Sequence, residues 1–130
     1  MRRSVGSVSQ DRRKWLGNAG EELAAEHLVR RGFRILERNY RTRWGELDIV
    51  AFDGETLAFV EVKSRRAAAG RTPFESVHTR KREQVRRIAA SWLSERPGRP
   101  FASALRFDAI GITFDRSGRL LGLEHLEGAF

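Results

Sequence analysis

The chain has 130 residues, a length that fits one domain able to bury its own core without disulfides or a structural metal. It contains no cysteine, which excludes a disulfide framework, a thiolate zinc site and a cysteine nucleophile, and suits the reducing cytoplasm. The net charge of +8 is carried overwhelmingly by arginine, whose planar donor fork matches phosphate oxygens, so nucleic acid is the first partner to consider.

In chain order, residues 1–13 hold serine, glycine and arginine with little apolar content, and read as a disordered basic leader ahead of a single domain over 14–130. The N-terminus starts basic but reaches no apolar h-region. Nowhere do the roughly 18 consecutive apolar residues of a membrane span occur, so no membrane association is expected.

From about Asp11 to Arg31, Leu16, Ala19, Leu23 and Ala24 recur at helical spacing, and Gly32 follows as a stop. Phe33 to Asn39 reads as a strand, followed by a basic, aromatic loop from Tyr40 to Gly45. Glu46 to Phe52 and Leu57 to Ser64 are two more β-rich runs, joined through Asp53-Gly54 as a hairpin. Residues 65–76 carry glycine, proline and arginine without periodicity and read as a mobile loop within reach of a substrate.

Between about Thr79 and Glu95, Val85, Ile88, Ala89, Trp92 and Leu93 fall on one helical face, with Lys81, Arg82, Arg86 and Arg87 on the other. Pro97-Gly98 ends that helix. Leu105 to Thr113 and Arg119 to Leu126 complete the chain as two strands around the turn Asp115–Gly118, giving the order α, β, β, β, α, β, β.

The hairpin holds the informative residues. Asp48 interrupts the apolar run Leu47, Ile49, Val50, Ala51, while Glu61 and Lys63 interrupt the apolar strand that starts at Leu57. Strand interiors seldom hold charges so centrally. Side chains alternate, and any even-length turn sets Glu46, Asp48, Phe59, Glu61 and Lys63 on one face. A two-residue turn pairs Asp48 with Phe59 and leaves Glu61 diagonal, whereas a four-residue turn pairs Asp48 with Glu61 directly.

Two carboxylates that converge repel each other unless a proton or cation intervenes, and hard oxygen ligands suit Mg2+ or Mn2+. Such an ion polarises a phosphodiester and activates water, and the Lys63 ammonium can hold that water or meet developing charge. From the residues alone, an ion pair between Glu61 and Lys63, with Asp48 satisfied by an arginine, accounts for the trio as well.

Five segments in order carry a resemblance. They are Gly17-x-x-Gly20-Glu21, Arg38-Asn39-Tyr40-Arg41, Gly45-Glu46-Leu47-Asp48-Ile49-Val50, Phe59-Val60-Glu61-Val62-Lys63 and Arg106-Phe107-Asp108. From about Leu16 to Phe130 the chain resembles the YraN-like family of bacterial proteins, a group within the PD-(D/E)xK nuclease superfamily and similar to archaeal Holliday junction resolvases. This sequence lacks the proline before Asp48.

The resemblance implies an α/β fold with a restriction-endonuclease-like αβββαβ core, a mixed central sheet flanked by helices. It further implies Asp48, Glu61 and the Val62 carbonyl as ligands of Mg2+ or Mn2+, Lys63 as the catalytic lysine, and Glu21 as an additional acidic residue. Glu21 alone also reads as a solvated helix glutamate near a favourable helix dipole, and Glu46 is a secondary candidate for the acidic group.

Arg41, Arg43 and Trp44 lead into the site strand and suit phosphate contact with base stacking, although Trp44 also reads as a core anchor. Lys81, Arg82 and Arg86 could grip a phosphate backbone, Lys81 foremost because the family carries a lysine near this point. Arg106 and Asp108 read as a fixed ion pair. His27, His78 and His125 show no metal-ligand spacing.

Two functions therefore compete: a metal-dependent endonuclease acting on DNA, on branched or recombination intermediates by analogy, and a non-catalytic nucleic-acid-binding protein that keeps the fold. A homodimer is compatible with either.

Overall fold

The computed structural model describes residues 5–67 and 79–130, with side chains for 15–67 and 81–130. The order is α1 (Val5–Arg30), β1 (Arg34–Thr42), β2 (Gly45–Phe52), β3 (Thr56–Arg66), α2 (Thr79–Glu95), β4 (Ala104–Phe114) and β5 (Leu120–Leu126). The strands form one sheet in the order β1-β2-β3-β4-β5. The β3–β4 pair is parallel and the other three pairs are antiparallel, so the sheet is mixed.

Each face of the sheet buries one helix. Ala24, Ala25 and Leu28 of α1 pack with Ile49, Ala51, Ala58, Val60, Ile110 and Ile112. On the other face Val85, Ile88, Ala89 and Trp92 of α2 pack with Leu47, Val50, Leu57 and Phe59. Both helices bury the apolar stripe that their 3.6-residue spacing marks out. The β3–α2–β4 unit supplies the crossover that a parallel pair requires.

Several boundaries differ from those read in the sequence. Helix α1 begins at Val5, so Val5–Arg13 is helical where composition predicts a disordered leader. Once a helix is nucleated, adding residues costs little, and no proline lies in that stretch to stop it. Tyr40, Arg41 and Thr42 belong to β1 rather than to a loop, because Thr42 pairs with Gly45 and only Arg43 and Trp44 are left to turn the chain. The Thr42 hydroxyl fixes that turn, donating to the Gly45 carbonyl and accepting the Trp44 N–H, each at 3.0 Å.

Arg65 and Arg66 likewise extend β3 opposite Thr113 and Phe114, since a parallel neighbour of equal length satisfies their backbone. The rest of the expected mobile loop, residues 68–76, lies outside the described residues, as does His78.

Phe52 pairs with Leu57, so the β2–β3 turn has four residues. Asp53 caps it, its Oδ1 accepting the N–H groups of Glu55 and Thr56 at 2.9 and 2.7 Å, while Gly54 takes the φ of 103° that a side chain would resist. The paired register runs from Phe52 opposite Leu57 to Ile49 opposite Val60 and ends there, one residue short of Asp48 and Glu61.

Candidate metal centre

The site forms where β2 leaves β3. Besides the bulge between Ile35 and Glu37, strict alternation along β1 and β2 breaks at one further level. Glu37 and Tyr40, three residues apart, both reach α2, at Trp92 and Ser91. Leu47 and Val50, also three apart, both pack in the α2 core. The slip sits at Asn39, whose φ of 55° is left-handed, a conformation that asparagine tolerates better than most side chains.

This slip corrects the single-face reading of the hairpin. Asp48 turns with Ile49 towards α1, where one carboxylate oxygen from each of Glu21, Glu46 and Asp48 lies within 4.8 Å of the others. Glu61 follows Phe59 to the α2 side and bonds Lys81 Nζ through Oε1 at 3.0 Å. The strand acids thus point to opposite sides of the fork, Asp48 to Glu21 of α1 and Glu61 to Lys81 of α2, rather than along one face.

Helix α1 comes close enough because residue 20 is glycine. A Cβ there would lie 1.7 Å from the Ser64 hydroxyl of β3, so only glycine admits the approach that brings Glu21 to the site. Asn39 hydrogen-bonds the Glu21 carboxylate, a partner that sequence reading missed; its only signal was an asparagine, a residue prone to left-handed backbone, inside a strand. Lys81 as the partner of Glu61 was also invisible, because the two lie on elements that meet only in the tertiary fold.

The electrostatics follow from this crowding. Burial pushes Asp48 up to about 8, the Glu61 charge adds to the rise, and the Val62 N–H opposes it by donating to Asp48 Oδ2 at 2.7 Å. Glu21 is also raised, first by burial and then by Glu46. Glu61 Oε2 is buried and has no hydrogen-bond partner within the described structure. Buried acceptors are costly when unpaired, so the donor set, hard oxygens with incomplete compensation, fits a divalent cation. Lys63 is half-buried two residues beyond Glu61, opposite Gly111 of β4.

The basic residues have varied surroundings. Arg41 Nε bonds Glu46 Oε2 at 2.8 Å, and Arg43 lies over the half-buried Trp44 ring at 4.6 Å. Trp44 itself packs against the α2 core. Arg86 donates to the Phe130 carbonyl at 3.0 Å and covers the Phe107 ring at 4.6 Å, which explains its position without a ligand. Arg82 and Arg87 are exposed on α2.

Away from the fork, Arg106 Nε and Nη2 bond the two oxygens of fully buried Asp108 at 2.9 and 3.0 Å, the ion pair expected from sequence. Asp108 Oδ2 also meets His125 Nε2 at 2.8 Å, and His125 Nδ1 meets His27 Nε2 at 3.0 Å. Two of the scattered histidines therefore come together as a structural tie between α1 and β5.

A mixed sheet with one helix on each face, and acids gathered where two central strands part, makes this an α/β protein with a restriction-endonuclease-like core. Residues 20–112 match the model of uncharacterised protein family UPF0102. The chain is 47% identical over 120 residues to a UPF0102 protein of Pelotomaculum thermopropionicum, covering 92% of this chain and 98% of that one. It is 46% identical over 120 residues to one of Moorella thermoacetica, covering 91% and 97%. The chain belongs to the UPF0102 family. No helix among the described residues is long and apolar enough to cross a membrane.

Proposed function

We propose that the protein is a cytoplasmic endonuclease, dependent on Mg2+ or Mn2+, that hydrolyses DNA phosphodiester bonds on branched or recombination intermediates. The observation that carries this reading is the gathering of Asp48 with Glu21, Glu46 and Glu61 in a buried fork, where burial first and the Glu61 charge second push the Asp48 carboxyl up to about 8 and Glu61 Oε2 has no partner among the described residues.

Asp48, Glu61 and the Val62 carbonyl would hold the ion. When bound, a divalent ion polarises a phosphoryl oxygen and lowers the pKa of coordinated water. The Val62 N–H orients the Asp48 carboxylate, and Lys63 supplies a positive charge beside the attacked phosphate. Glu21 completes the acidic group from α1, and the exposed Arg43 and Arg82, with Arg41, meet the flanking phosphates.

Labelled linear, flapped and four-way DNA incubated with Mg2+ or Mn2+ tests the proposal. Cleavage should occur with the wild type and fall by at least about a hundredfold in Asp48→Asn and Lys63→Ala, the scale of losing one charge-stabilising group. Cleavage that persists in both variants, or in EDTA, would contradict it.

One observation favours the competing non-catalytic reading. Lys81 already neutralises Glu61, and a proton on Asp48 relieves the remaining repulsion, so the fork is tolerable without an ion. Under that reading DNA binds equally well in EDTA, with a steep salt dependence and no turnover.

A further inference from the structure

Beyond Lys63, the end of the sheet carries basic and aromatic side chains that the candidate metal centre does not use. β3 continues from Lys63 to Arg66 beside Gly111 to Phe114 of β4, about 10 Å at the usual rise of a parallel strand. There the turn Asp115–Gly118 joins β4 to β5. Asp115 Oδ1 accepts the Ser117 N–H, the Ser117 hydroxyl and the Arg119 N–H at 2.9, 2.7 and 2.9 Å. Arg66 Nη1 donates to the carbonyls of Asp115 and Arg116 at 3.3 and 2.6 Å. The turn is thus fixed from within and from β3, while the side chains of Arg116 and Arg119 stay exposed.

Trp15 of α1 lies across this turn. Its ring packs against Phe114 with centroids 6.0 Å apart, and a Cβ on Gly118 would come within 3.1 Å of it. Yet 50% of the residue remains exposed. A large indole held on one side and open to water on the other, on a fixed turn with two exposed guanidinium groups, has the parts of a stacking platform.

We propose that Trp15, Arg116 and Arg119 form a ledge for single-stranded nucleic acid, with an unpaired base stacked on Trp15 and adjacent phosphates on the two arginines. The ledge rests on the nucleic-acid reading of the protein and deepens it by naming the strand state. A duplex covers the faces of its bases and offers this surface phosphates alone, whereas an unpaired base offers its face as well. Gly118 is a positioning residue, since its φ of 90° suits glycine and a Cβ there would crowd the Trp15 ring at 3.1 Å.

The test is binding of labelled oligo(dT) and of a duplex of equal length in EDTA, read by anisotropy and by quenching of tryptophan emission. Oligo(dT) should quench the wild type, and Trp15→Phe, which keeps an aromatic ring against Phe114, should lose most of that quenching. Trp15→Ala should weaken single-strand binding about tenfold and duplex binding much less. The Arg116→Glu/Arg119→Glu variant should flatten the salt slope by about 0.7 for each phosphate that it no longer neutralises.

Unchanged quenching in Trp15→Phe together with unchanged affinity in the other variants overturns the ledge, as does equal weakening for duplex, or a wild type that binds no oligo(dT). Because the assay excludes metal, its outcome is separate from cleavage. DNA cutting with an inert ledge sinks the ledge alone, and ledge binding without cutting sinks the nuclease alone.

Discussion

At the residue scale, Asp48 carries the clearest consequence. With no ion bound it keeps its proton up to about pH 8, first because of burial and then because of Glu61, whereas an unfolded aspartate loses it near 3.9. Between those values the folded chain binds a proton that the unfolded chain has released, so stability falls as pH rises through that window. Asp48→Asn removes the titration. In metal-free buffer its melting temperature should exceed that of the wild type at about pH 8 to 9, and the gap should shrink as pH is lowered towards about 5. A gap that stays constant or widens on acidification would show that Asp48 is not the strained acid.

The charges of Asp48, Glu61 and Lys63 were legible in the sequence because each interrupts an apolar strand. Which face each would take was not. Alternation predicts a shared face, and the left-handed Asn39 shifts the phase of two strands at once, so Asp48 meets α1 while Glu61 meets α2. A single non-glycine residue with positive φ leaves only a weak mark in a sequence.

At the scale of elements, the strands and helices followed from periodicity and turn chemistry. Asp53-Gly54 marked the hairpin, and the apolar stripe from Val85 to Leu93 marked α2. Helix starts and loop ends were less visible, as at Val5 and Arg66, because pairing with a neighbour or extension of an existing helix decides them.

The approach of α1 to β3 belongs to this scale too. Gly20 faces Ser64 with no space for a Cβ, so Gly20→Ala should force the helix outward. Overpacking of this kind costs about 1 to 3 kcal/mol, measurable as a lower denaturant midpoint. Because Glu21 travels with the helix, Mn2+ affinity should fall as well. Gly17, whose Cβ would meet nothing within 4 Å, is the control: Gly17→Ala should leave both quantities unchanged or raise stability slightly through helix propensity. Equal behaviour of the two variants would contradict the packing account.

On the scale of the whole molecule, two helices pack on opposite faces of one sheet and each delivers a charged group to the same fork, Glu21 from α1 and Lys81 from α2. Composition makes a polyanion the first partner to consider, and the +8 charge is compatible with both the nuclease and the clamp. What separates them is whether the fork takes an ion. Isothermal titration of the metal-free protein with Mn2+ at about pH 7, in two buffers of different ionisation enthalpy, tests this most directly, since filling the site must expel the Asp48 proton. The nuclease account predicts one saturable site, release of close to one proton per ion, tighter binding as pH rises towards about 8, and loss of the site in Asp48→Asn. No saturable binding, or binding that Asp48→Asn leaves intact, would contradict it.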